Sequence, residues 1–185
     1  MSQTMDTLST KNLARAAMFI AIGLVLPFLT GQIPEIGRML LPMHLPVLLC
    51  GLICGKKYGF TVGLILPIMR SLLFGMPMMF PMAIAMTFEL ATYGFIIGLI
   101  YSSFKKQGIV ALYASLIIAM IVGRIVWGIA MAVLLLGFSA DGVFTFQIFI
   151  AGALVNALPG IILQLVLIPA IMLVLHQVGV VRFKK

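Results

Sequence analysis

The sequence predicts an all-α integral membrane protein with six transmembrane helices and both termini in the cytoplasm, on three observations. Hydrophobic residues make up 63% of the 185 positions and charged residues only 9%, against about 45–50% and roughly 25% in a soluble domain. With a mean hydropathy of +1.26, there is too little polar surface to face water and too much apolar surface to stay disordered. The apolar residues fall into long runs. At about 20 residues per span and about ten per connection, the length divides into roughly six spans. Charge sets the orientation. Nine of the twelve Lys and Arg lie in four clusters, Lys11/Arg15, Lys56/Lys57, Lys105/Lys106 and Arg182/Lys184/Lys185. A six-span layout puts all four on one side, which is then cytoplasmic. The other side holds Glu35, Asp141 and a single base, Arg38. Residues 1–185 are expected to form one transmembrane domain.

The first span is expected over 12–29, with Pro27 near its end. Lys11 and Arg15 before an apolar stretch are also how a signal peptide begins, but the run passes into Thr30-Gly31-Gln32-Ile33-Pro34 with no small-x-small cleavage site. A polar, turn-rich loop follows over 32–38. The second span, 40–55, is short and carries Pro42 and Pro46 at its start. Its Cys50 and Cys54 have no neighbouring His or acid and read as small buried residues, not as a disulfide or metal pair. Gly51, Gly55, Gly59 and Gly63 recur every four residues into the third span, 58–74, and predict close packing at a tight inner turn. The fourth span, 81–103, is entered through a Met- and Phe-rich connection around Gly75-Met76-Pro77, either a lid over an outer pocket or an apolar turn resting in the headgroups. The fifth covers 109–137. The last run, 147–180, is too long for an upright helix, and Pro159-Gly160 and Pro169 predict a kink, a tilt or an interfacial start. Splitting it would move the terminal basic cluster to the wrong side.

Charges inside the hydrocarbon are the most informative residues, because each costs about 2.5–3.5 kcal/mol at a helix centre. Three are expected there, Arg70, Glu89 and Arg124, with His44, Asn156 and Gln164 as softer companions. At about 1.5 Å per residue, Arg70 and Arg124 lie roughly 20 and 22 Å above the inner face, and Glu89 and Asn156 roughly 12 and 13 Å below the outer one. His44 opens the second helix on the outside. Arg70, Arg124, Glu89, Asn156 and His44, from five helices, are candidates to line one outward-facing pocket. The alternative is a buried ion pair or triad that ties helices together. Two guanidiniums against one carboxylate leave spare positive charge for an anionic or carbonyl-bearing ligand. Trp127, one turn after Arg124, is either a stacking platform for a flat ligand or an interfacial anchor. In the first helix, Ala17 and Ala21 form a small-xxx-small pair that admits a close neighbour.

Several chemistries lack their residues. No GxxxxGK[ST] is present, so the chain has no ATPase site of its own. HExxH and intramembrane carboxylate pairs are absent, no metal site is expected, and no triad motif places Ser71 or His44, so no enzyme is expected. The net charge of +8 sits at membrane turns instead of on a nucleic-acid-binding face. No internal repeat supports an inverted-repeat carrier.

Pro42-Met43-His44-Leu45-Pro46-Val47-Leu48-Leu49, followed by Gly51-Leu52-Ile53-Cys54-Gly55-Lys56-Lys57-Tyr58-Gly59, resembles the second-to-third helix region of the substrate-binding S components of energy-coupling factor (ECF) vitamin transporters. Lys56 stands where that turn usually has a proline. Ala17-Met18-Phe19-Ile20-Ala21 is similar to the AxxxA motif by which those subunits dock. The resemblance implies high-affinity capture of a vitamin or related micronutrient outside the cell. Delivery then depends on a transmembrane coupling subunit and two ATPases that use ATP, with no cofactor in this chain. It implies a multi-pass protein of a prokaryotic plasma membrane, with a small molecule, partner subunits and the bilayer as its contacts and no nucleic acid. The intramembrane arginines favour a carboxylate or phosphate-like group, which suits pantothenate better than thiamine; pyridoxine-type and pyrimidine-precursor substrates stay open. A stand-alone secondary carrier with Glu89 as proton site and a non-transport scaffold are the rival readings.

Overall fold

In hydrocarbon the backbone must satisfy its own polar groups, which leaves helices as the way for such apolar runs to fold. The computed structural model describes residues 10–30, 41–138 and 157–181, and nearly all of them are helical. Helix α1 (Thr10–Val25) tightens into a 3₁₀ turn (Leu26–Thr30) around Pro27, and α2 is His44–Cys54. Helix α3 is Lys56–Phe74, a short π-turn (Met79–Ala83) leads into α4 (Ile84–Ser103), and α5 (Ile109–Phe138) and α6 (Leu158–Gln177) complete the described elements. Among the described residues, five helices are long and apolar enough to cross a membrane: Thr10–Phe28, Lys56–Phe74, Met79–Ser103, Ile109–Gly137 and Leu158–Gln177. They match the expected first, third, fourth and fifth spans closely.

The second and the last segments differ from expectation. Helix α2 has 11 residues, about 16 Å at 1.5 Å per residue and about half of a hydrocarbon core. Pro42 lies in the turn before it and Leu41 takes a positive φ of 50°, so the helix starts only at His44. All of its residues but Ile53 are buried, and its neighbours are α1, α3, α4 and α6. It is a core helix and not a span of full length. In the last run the described helix begins at Leu158, with Pro159 in its first turn, where a missing N–H costs nothing. Pro159-Gly160 is thus a helix start; Pro169 alone lies inside the helix. Residues 147–156, the loops carrying Glu35, Arg38 and Asp141, and the terminal Arg182/Lys184/Lys185 cluster lie outside the described residues.

Helix α4 is the hub, packed on α2, α3 and α5. Its contact with α3 is backbone against backbone. A Cβ added at Gly59 would stand 2.5 Å from the Gly94 carbonyl oxygen, one at Gly63 would fall on the Leu90 carbonyl, and one at Gly98 would meet the Lys56 nitrogen at 2.6 Å. The four-residue glycine period therefore has a partner, the Gly94/Gly98 face of α4. Gly55, at φ 95°, makes the one-residue turn from α2 into α3, a conformation that only glycine adopts without strain.

Leu24 and Arg70 bond to each other, and each is fourteen residues past the start of its helix. Helices α1 and α3 therefore run in the same direction and in register. Lys11/Arg15, Lys56/Lys57 and Lys105/Lys106 consequently gather at one end of the bundle. The opposite, loop end carries the α3–α4 connection and the 3₁₀ turn after α1, while α2 starts about midway between the two ends. Around the outside, Ile117, Ile121, Ile125, Ile129 and Val133 line one exposed face of α5 at four-residue spacing, a surface suited to acyl chains and not to water.

Candidate functional site

Helices α2, α4 and α5 bring three ionisable side chains to one point inside the bundle. Glu89 projects from α4 and is 1% exposed; its Oε1 lies 3.0 Å from Nη1 of Arg124 on α5. The same oxygen lies 3.5 Å from Nε2 of His44, the first residue of α2, which is fully buried. The His44 ring sits 5.3 Å, centroid to centroid, from that of Tyr93, one turn along α4 from Glu89. Room for the Tyr93 ring comes from Gly123, where a Cβ would strike it. Gly123 thus lets α5 approach α4 closely enough for its next residue, Arg124, to reach Glu89.

Trp127 is buried one turn further along α5, in an apolar cluster with Ala85 and Met131. Because α4 and α5 are antiparallel, Ala85 and Trp127 both lie on the loop-end side of the Glu89–Arg124 pair. On α6 the residues buried toward the bundle are Gly160, Gln164, Ile168, Pro169 and Met172. Gln164 is fully buried, on a helix whose described neighbours are α5 and α2, the carriers of Arg124 and His44.

Hydrogen bonding at this centre is incomplete within the protein. Both ring nitrogens of His44, Oε1 of Glu89, and Nε and Nη2 of Arg124 are buried without a hydrogen-bond partner among the described residues, as are both amide atoms of Gln164 on α6. A buried polar group left this way costs about 1–3 kcal/mol. Native proteins keep such groups few, and a concentration of them marks a place where something else is received.

Arg70 has a different environment. Its Nη1 donates to the Leu24 carbonyl at 2.7 Å, and its guanidinium lies 5.4 Å from the ring centroids of both Phe28 and Phe74. Those two rings meet edge to face at 4.9 Å. Carbonyls of the last helical turn lack intrahelical donors and carry the negative end of the helix dipole, so a guanidinium there is well placed. Arg70 forms no ion pair with Glu89.

The expected site residues therefore divide. His44, Glu89 and Arg124 come together, with Trp127 beside them; Arg70 ties α1 to α3; Asn156 lies outside the described residues. Tyr93 joins the centre without having been singled out for it, and Gln164 is buried on α6, which packs on the helices that carry Arg124 and His44. Tyr93 was signalled by its i+4 spacing from Glu89, and Gln164 by being an amide in an apolar run. Ala17 and Ala21 are exposed on α1, whose buried face is Ala16, Phe19 and Gly23. Ala21 also borders a shallow apolar groove with Ile22, Val25 and Leu26. Among the described residues no group of His, Cys, Asp and Glu is arranged to hold a metal ion.

A family model described as the substrate-specific component of ECF transporters matches residues 11–172. Comparisons with curated proteins and with solved structures give no match.

Proposed function

The chain belongs to the substrate-specific components of ECF transporters, a transport subunit and not an enzyme, and from that premise we propose that it captures a small water-soluble vitamin or precursor from outside the cell at the Glu89–Arg124–His44 centre. The observation that carries this reading is the set of buried, unpartnered polar atoms on His44, Arg124 and Gln164. His44 and Arg124 converge from two helices on Glu89 of a third, and Gln164 is buried on a fourth that packs against them. Such a site, mostly apolar with a few convergent polar groups, has the make-up of a small-molecule pocket.

Three basic clusters at the opposite end of the bundle support a cytoplasmic placement of that end. With α2 counted as a short sixth segment, both termini then lie inside a prokaryotic plasma membrane. The exposed Ala17/Ala21 face of α1 is the docking surface for the transmembrane coupling subunit, since small side chains there let a partner backbone approach. Two ATPase subunits supply the energy, and this chain holds no cofactor.

The test is purification of the full chain in detergent, mass spectrometry of whatever is released on denaturation, and uptake of that compound in proteoliposomes. Transport requiring both the coupling subunits and ATP supports the proposal. Transport by this chain alone, driven by a proton gradient, would replace it with a secondary carrier using Glu89.

A further inference from the structure

We propose that Arg124 is a carboxylate receptor: its Nε–Nη2 edge takes a carboxylate of the transported molecule, so the substrate is an organic anion and not a neutral or cationic compound. This rests on the reading of the chain as a substrate-binding subunit and adds the chemistry of its ligand.

A guanidinium presents five N–H donors in a rigid plane. Arg124 spends Nη1 on Glu89 at 3.0 Å. The atoms left buried without partners, Nε and Nη2, are neighbours along one edge of the plane. Their N–H bonds are parallel and spaced to meet the two oxygens of a carboxylate. Glu89 therefore faces the guanidinium at one corner, and the Nε–Nη2 edge is buried with no hydrogen-bond partner among the described residues.

Charge and hydrogen-bonding capacity favour the same ligand. Glu89 and Arg124 balance each other, and the Glu89 oxygen is already faced by two nitrogen-bearing side chains, His44 at 3.5 Å and Arg124. An anion meets two donors on Arg124, Nε and Nη2, that no described residue engages. Gln164 offers both a donor and an acceptor for a hydroxyl or amide elsewhere on the molecule. Trp127, toward the loop end, gives the non-polar part a ring to lie against. Arg70 does not compete for the anion, being engaged with Leu24, Phe28 and Phe74.

The experiment compares matched acids and neutral counterparts on the full chain in detergent, by thermal shift and calorimetric titration. The probes are pantothenate with panthenol, nicotinate with nicotinamide, biotin with biotin amide, and thiamine as a cation; any co-purifying compound is identified by mass spectrometry. The expected result is that an acid, from the panel or co-purified, binds about 10- to 150-fold more tightly than its neutral counterpart, the equivalent of one charge-assisted hydrogen bond. Arg124→Lys keeps a positive charge for Glu89 but lacks the planar edge, and it should lose acid affinity by a similar factor while its ligand-free melting stays near wild type. If that variant fails to fold, the acid-to-neutral ratio on the wild type decides. Equal binding of a neutral counterpart, a neutral or cationic ligand as the one captured, or full acid affinity in Arg124→Lys overturns the carboxylate assignment and leaves substrate capture standing. No binding by any probe together with no co-purifying compound overturns both.

Discussion

Removing either charge of the Glu89–Arg124 pair should damage the fold far more than removing both. The two groups are 3.0 Å apart and 1% and 10% exposed. At an effective dielectric of about 20, unit charges at that separation attract by roughly 5–6 kcal/mol. Much of that is offset by the cost of taking both ions out of water, so the net value of the pair is small, while a partner left alone keeps its desolvation cost. Glu89→Gln leaves the guanidinium buried without its counter-charge, and Arg124→Met leaves the carboxylate buried; each should cost about 3–5 kcal/mol. The double variant contains neither charge and should lie within about 1–2 kcal/mol of wild type, a coupling energy of several kcal/mol. Unfolding by SDS titration in mixed micelles, followed by far-UV circular dichroism, gives the four stabilities. The protein's one tryptophan, Trp127, reports locally from one turn away. Single variants that are each as stable as wild type, or a double variant that simply adds their losses, would refute the pairing argument.

Arg70→Met should lower stability by about 1.5–3 kcal/mol through loss of the bond to the Leu24 carbonyl, leave ligand affinity unchanged, and speed amide exchange at the end of α1. Gly59→Ala should cost about 1–3 kcal/mol because its new methyl meets the Gly94 carbonyl, whereas Gly108→Ala, with nothing within 4 Å, should shift unfolding by less than about 0.5 kcal/mol. Ala17→Trp or Ala21→Trp should abolish uptake in the assembled transporter while ligand binding to the isolated subunit persists; wild-type transport by both would remove that face from docking. Reporter fusions at Lys185 and at Asp141 should give opposite signals, and equal signals would sink the arrangement with both termini inside.

Four of the spans were legible because lipid imposes one requirement on each, an apolar run of sufficient length. The second segment, expected as a short span over 40–55, is an 11-residue helix, and its run is apolar for another reason. It is enclosed by α1, α3, α4 and α6, and hydropathy does not distinguish burial by protein from burial by lipid. The charged residues announced themselves, since Arg70, Glu89 and Arg124 have no reason to be in hydrocarbon without partners. Their pairing was not legible. Depth estimates gave the two arginines nearly equal height, and the choice between them depends on the rotation of α3 and α5 about their axes. What separates them is the free carbonyl of Leu24 and the rings of Phe28 and Phe74, which a reading of single helices does not bring to Arg70. Gln164 was visible as a polar residue, but its inward direction follows from where α6 starts and which neighbours it has.

The seam between α3 and α4 has a mechanical consequence. Packed side chains yield by hopping between rotamers, so an ordinary helix interface can slide by small steps. Gly59, Gly63, Gly94 and Gly98 have no rotamers, and their interface is main chain resting on main chain. Any slippage would drive a carbonyl into a Cα, so this pair of helices is stiff in shear and acts as a keel. The compliant parts are at the rim, above all α1, with three fully buried residues in its sixteen. Glu89 is mounted on the keel, so small adjustments inside the core leave its position against α3 unchanged. Movement within the bundle is therefore left to the rim.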